Sequence, residues 1–83
     1  MEKKTPAAVE IAPRIVADPR VRFGNPTIKG TRVSVAVVLD ELAAGSTVED
    51  IVRQYGVTPG DVRAVLRYAA NVMAEEDVKV AGR

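Results

Sequence analysis

The apolar positions change their period part-way along the chain. Before Ser34 they come as short β-branched clusters, and after it they recur every three or four residues, the period of a helix packed on one face. Val35, Val38, Leu39 and Leu42 fall at i, i+3, i+4 and i+7. Ser34 is placed to cap that helix, and Gly45 to end it. Val48, Ile51, Val52 and Tyr55 repeat the spacing, with Ser46 and Glu49 predicting a capping box at the start and Gly56 a stop. Thr58 predicts a third N-cap, with Pro59 at the first helical position, where its missing N–H costs nothing. The third stripe is Val62, Val65, Leu66, Ala69, Val72 and Met73, and the spacing predicts a helix to about Glu75.

The first part of the chain reads differently. Ile15 and Val16 predict a short strand, and Asp18-Pro19 and Gly24-Asn25-Pro26 predict turns. Two β-prone pieces flank Lys29-Gly30, a tight hairpin turn. The expected fold is mainly α with a short β-ribbon: a three-helix bundle containing a helix-turn-helix, winged-helix-like. Residues 1–13, with Pro6 and Pro13, are expected to be a mobile arm, and residues 14–76 the helix-turn-helix domain with its N-terminal ribbon. Residues 77–83 are expected to be a C-terminal tail in which Val78 and Val80 alternate as in a strand.

Eighty-three residues leave room for one domain. The chain is 47% apolar and 28% charged, a composition that supports a folded core. No apolar run approaches the roughly 20 residues of a membrane span. Met1-Glu2-Lys3-Lys4-Thr5-Pro6 has no apolar signal core behind it, so a cytoplasmic protein without membrane contact is expected. With no Cys and no His, disulfides, thiolate metal sites and Ser-His or Cys-His nucleophiles are excluded. No enzyme activity, cofactor or metal is expected.

The net charge of +1 hides an uneven distribution. Arg14, Arg20, Arg22, Lys29 and Arg32 face one acid, Asp18, in the first part of the chain. Asp40, Glu41, Glu49 and Asp50 make the middle acidic, and Glu75-Glu76-Asp77 lie near the end. A local basic patch suits phosphate even in a near-neutral chain.

The segment joining the second and third stripes has helix-turn-helix spacing. Val52 lies four residues before Gly56, Val57 is placed to plug the bend, and Thr58 caps the third helix. In DNA readers the second helix of such a pair enters the major groove. At 100° per residue, Gly60, Arg63, Ala64, Arg67 and Asn71 share one arc opposite the apolar stripe. Arg and Asn read guanine and adenine through paired hydrogen bonds, and Gly60 lets the helix start approach closely. Against this, Asp61 in the first turn repels phosphate, and arginines on a solvated helix face are common. Two readings stay open: a DNA-binding protein, and a protein-interaction module, a dimeric adaptor, that uses the helix-turn-helix as a contact surface. Arg20, Arg22, Lys29 and Arg32 form either a phosphate clamp beside the ribbon or a scattered basic surface, with Arg32 placed to pair with Asp18 or Asp40. Asp40 and Glu41 read as a solvated face.

The segment Gly24-Asn25-Pro26-Thr27-Ile28-Lys29-Gly30-Thr31-Arg32-Val33-Ser34-Val35 resembles the domain-of-unknown-function 433 family, whose sequences look like G-x-P-x-I-x-G-T-R-V/I-x-V. Leu42-Ala43-Ala44-Gly45, Ser46 to Ile51, Tyr55 to Thr58 and the opening Arg14 to Pro19 extend the likeness over about residues 14–70. Many members carry a Pro and one more residue before the third helix; the shorter Gly56-Val57-Thr58 here is closer to an ordinary helix-turn-helix. The resemblance implies a small β-ribbon with a helix-turn-helix bundle, often dimeric, and a type II toxin–antitoxin role similar to VapB-type antitoxins. The partners it implies are a PIN-like ribonuclease toxin encoded nearby, duplex DNA of the protein's own promoter, and a second copy. It carries over no catalytic residue. On that reading Gly60, Arg63, Arg67 and Asn71 face the groove, Arg20, Arg22, Lys29 and Arg32 hold phosphates, and Glu75, Glu76, Asp77, Val78 and Val80 bind the toxin.

Overall fold

Three short strands precede three helices, in the order β1 (Val9–Ala12), β2 (Ile15–Ala17), β3 (Thr27–Ile28), α1 (Val35–Ala43), α2 (Val48–Tyr55) and α3 (Pro59–Ala81). This is a computed structural model, which describes residues 8–81, with side chains described to Glu75. The strands form one antiparallel sheet, with β2 central. The molecule is therefore mixed α/β and not a pure three-helix bundle: the sheet contributes two of its most buried side chains, Ile15 and Ile28.

Part of the expected arm is strand. β1 pairs with β2 with a register shift between Glu10 and Ala12, and Pro13 and Arg14 make the connecting turn. Arg14 takes a left-handed φ of 68° there. The Glu10 carboxylate holds the hairpin, accepting from the Arg14 backbone N–H at 2.9 Å and from Lys29 Nζ at 3.1 Å. Val9 and Ile11 are exposed, which is why hydrophobic patterning alone does not mark this edge strand. Residues 1–7 of the expected arm lie outside the described residues.

Beyond β3 the chain makes a turn closed by the Thr31 N–H on the Ile28 carbonyl, with Gly30 at φ 80°. The expected second ribbon strand is only an isolated bridge, Thr27 to Ser34. The Thr31 hydroxyl holds the turn, donating to the Ile28 carbonyl and accepting from the Val33 N–H. Ser34 then caps α1 through the Val37 N–H, as the sequence predicts.

The capping of α2 is shifted by one residue. Thr47 is the N-cap, and in a reciprocal box the Thr47 hydroxyl accepts from the Asp50 N–H and the Asp50 carboxylate accepts from the Thr47 N–H. Ser46 is unavailable because it closes α1. Its N–H bonds the Glu41 carbonyl while that of Gly45 bonds Leu42, a Schellman ending, and its hydroxyl donates to the Glu41 carboxylate at 2.8 Å. Gly56, left-handed at φ 73°, ends α2.

The core consists of Ile15, Ile28, Val35, Val38, Ile51, Val57, Val62 and Val65. All are β-branched, so few rotamers are lost when they pack. Leu39, Leu42, Tyr55 and Tyr68 close its edges. α3 runs past the predicted stop, because nothing between Asp61 and Ala81 is Gly or Pro. The backbone expected as a tail is helical to Ala81, and the strand-like alternation of Val78 and Val80 is not realised. Leu66, Val72 and Met73 at 44%, 40% and 55% exposure continue the stripe after the core has ended.

Candidate nucleic-acid interface

The start of α3 is built on three side-chain hydrogen bonds. Val57 is buried in the bend after Gly56. Thr58 and Asp61 form a second capping box: the Thr58 hydroxyl accepts from the Asp61 N–H at 3.0 Å, and the Asp61 carboxylate accepts from the Thr58 N–H at 3.1 Å. The other Asp61 oxygen takes Arg14 Nε at 3.0 Å, and Arg14 also donates to the Lys29 carbonyl. One arginine thus joins the β1–β2 turn, the Lys29-Gly30 turn and the start of α3.

This changes the meaning of Asp61. The sequence presents it as a charge that repels phosphate, yet it is only 6% exposed and its charge is paired. Burial pushes its carboxyl pKa up, but the Thr58 N–H, the Arg14 guanidinium and the Thr58 hydroxyl outweigh that and hold it below the ordinary value.

The arc beyond it is open. Gly60, Arg63, Arg67 and Asn71 are exposed, whereas Ala64, expected on the same arc, is half-buried against the core. Arg63 and Arg67 make no ion pair with a described residue. Glu75, exposed, lies further along the helix; the side chains of Glu76, Asp77, Val78 and Val80 lie outside the described residues.

The four basic residues of the loops do not form one clamp. Arg20 is held by Asp18 through Nε at 2.9 Å and Nη2 at 3.1 Å, and this pairing lowers the Asp18 pKa. Lys29 pairs with Glu10. Arg22 and Arg32 are exposed without an ion pair to a described residue, and Arg32 pairs with neither Asp18 nor Asp40. Lys29 and Arg32 line one shallow groove of about 390 Å³ with Val21, Thr27 and Thr31. Among the described residues no group of acidic side chains is arranged to hold a metal, and no helix is long and apolar enough to cross a membrane.

A family model described as "Protein of unknown function (DUF433)" matches residues 15–69. The chain belongs to the DUF433 family. This DUF433 chain is 44% identical over 52 residues to a Mycobacterium tuberculosis (strain ATCC 25618 / H37Rv) protein named "Putative antitoxin VapB45", covering 63% of this chain and 22% of that protein. A crystal structure of Rv2018 from Mycobacterium tuberculosis is similar with a TM-score of 0.58 at 44% identity, over 63% of this chain and 24% of the solved one. The chain thus spans less than a quarter of the length of these relatives.

The DUF433 signature, Gly24 to Val35, acts here mainly through the fold. The Pro26 carbonyl accepts the Val35 N–H, Ile28 is fully buried, Gly30 permits the turn and Thr31 ties it. Arg32 alone in that block points its charge outward without such a task. Two features have no marker in the sequence. Glu41 is half-buried and accepts from Tyr55 Oη at 3.0 Å as well as from Ser46, joining α1 to α2 instead of facing solvent. The hydrogen bond to Glu41 raises the Tyr55 pKa. The other feature is Phe23, next to Arg22 in the chain, with its ring in solvent.

Proposed function

We propose that this DUF433 chain is the DNA-binding part of a type II antitoxin, which neutralises a PIN-like ribonuclease toxin encoded nearby and represses its own operon. The observation that carries the reading is the row Arg63, Arg67 and Asn71 on the open face of α3, directly after a capped, glycine-ended bend. A helix-turn-helix turns the first residues of its second helix towards base edges, and neither arginine has an ion pair to a described residue. Arg14 supports the reading by neutralising the single acid at the start of α3. The relative's printed name supports the antitoxin part.

In this reading two copies pair through the open apolar face of α1 and α3, where Val35, Leu39, Tyr68, Ala69, Val72 and Met73 line a groove. Such pairing matches the two-fold symmetry of most operators. Glu75, Glu76 and Asp77 meet basic residues of the toxin, with Val78 and Val80 packing beside them. The exposed Leu66, Val72 and Met73 also favour a second reading, a dimeric adaptor that contacts protein only.

Fluorescence anisotropy with duplex DNA from upstream of the gene separates the two. A DNA reader prefers that duplex over scrambled DNA by ~10³ or more, and its log affinity falls with log salt by about 0.9 per phosphate contact. Arg63→Ala/Arg67→Ala removes the preference. Equal, weak binding of both duplexes selects the adaptor. Charge reversal at Glu75, Glu76 and Asp77 weakens binding to the neighbouring gene product if these residues form the toxin contact.

A further inference from the structure

The chain has one phenylalanine, and its fold places that ring in water. Phe23 is 97% exposed, although a domain this small has little apolar area to spare. It occupies the middle of the 3-10 turn Arg22–Gly24, where three successive residues have left-handed φ values of 51°, 58° and 85°. Only the third is glycine. Arg22 and Phe23 are therefore both strained, and the ring gains no burial in return.

The turn is nevertheless well tied. Val21 N–H bonds the Asp18 carbonyl at 2.8 Å, Gly24 N–H the Val21 carbonyl at 3.1 Å, and Asn25 N–H the Arg22 carbonyl at 3.1 Å. Asp18 is itself fixed by both the backbone and the guanidinium of Arg20. The strain is thus maintained by the surrounding bonds, and the effect is to hold Phe23 clear of the surface.

The surroundings indicate what the ring meets. Arg22 adjoins it, exposed and without an ion pair to a described residue. Val21, at the base of the turn, shares the shallow groove with Arg32, with Asp18 and with Lys29, which Glu10 holds. Asp18, the acid in that groove, is paired with Arg20. An exposed aromatic ring next to an arginine with no ion pair to a described residue fits a ligand that offers an apolar slot and negative charge a few ångströms apart. Stacked bases between two phosphate strands have that arrangement, and Phe is one of the side chains that enter a base step from the minor groove.

We propose that Phe23 is a wedge that inserts at a base step of the bound duplex, with Arg22 and Arg32 on the flanking phosphates. This rests on the DNA-binding reading but concerns a different part of the molecule from α3.

The protein has no tryptophan, so Phe23→Trp supplies one tryptophan at the site, excited apart from the two tyrosines. Titration with the duplex from upstream of the gene is expected to quench its emission by stacking. Phe23→Ala is expected to weaken wild-type binding roughly tenfold to a hundredfold, with the salt slope unchanged. Arg22→Ala is expected to lower the slope by about one. The ring packs on nothing, so circular dichroism of these variants should match wild type. Wild-type DNA binding that Phe23→Ala leaves intact, with unquenched Phe23→Trp emission, overturns the wedge and leaves the DNA reading standing. Absence of salt-dependent DNA binding by wild type overturns both. A blue shift of Phe23→Trp only on adding the adjacent gene product assigns the ring to a protein pocket, which also overturns the wedge.

Discussion

Arg14 shows how much one side chain carries in a thin fold. Its guanidinium is about half exposed, while the Asp61 carboxylate it meets is nearly buried. Removing the arginine therefore leaves a desolvated charge with only its capping bonds. Discounted for the solvent around Arg14, Arg14→Ala is expected to cost about 1 kcal/mol in urea unfolding at pH 7. The sign of the pH dependence comes from the lowered Asp61 pKa. The folded carboxyl titrates below its ordinary 3.8, so the stabilisation is complete above that pH and is lost as pH falls through the folded value. Unfolding curves of wild type and Arg14→Ala should differ most above the ordinary 3.8 and draw together as pH falls below it. Phe23 presents the opposite case, a side chain that costs stability where it stands. Phe23→Asn keeps a residue that tolerates left-handed φ, and is expected to raise stability by up to about 1 kcal/mol in the same assay.

At the level of elements, capping decides the boundaries. Thr47→Ala is expected to destabilise by about 1 kcal/mol, because it opens the box at the start of α2. Ser46→Ala loses one hydroxyl bond to Glu41, keeps the backbone ending of α1, and should cost clearly less. Reversed magnitudes would restore Ser46 as the cap. The three helices and most of their ends were legible, because periodic stripes bounded by Ser34, Gly45, Gly56 and Thr58 leave few alternatives. Ser46-x-x-Glu49 and Thr47-x-x-Asp50 fit the same pattern, and only the Schellman ending of α1 separates them. β1 was not legible, since its apolar residues face outward and Glu10 holds it through partners 4 and 19 residues away. At the candidate interface, the exposure of Arg63, Arg67 and Asn71 was legible from helical geometry. The pairing of Arg20 with Asp18 and the raised ring of Phe23 were not, because left-handed φ in a non-glycine residue has no sequence signature.

Across the whole molecule, α3 is longer than the body that supports it. Its first half seals the core, and its second half carries Val72 and Met73, which line the open groove with Val35 and Leu39 of α1. If a second copy covers this face, Val72→Glu/Met73→Glu should convert the dimer to a monomer in sedimentation velocity without altering the circular dichroism spectrum, since both positions are already exposed. The Arg14–Asp61 bridge has a further consequence, for the order of events during synthesis. It joins residues 47 apart in the chain, and the same packing brings Ile15 of β2 against the core face of α3. A ribosome that has released only the strands and the first two helices has released a chain whose core lacks Val62 and Val65. Until α3 emerges, those segments expose apolar surface with nothing to close it. The core is thus closed only when α3 arrives, and a chain interrupted before Asp61 is expected to be cut by proteases more readily than the full one.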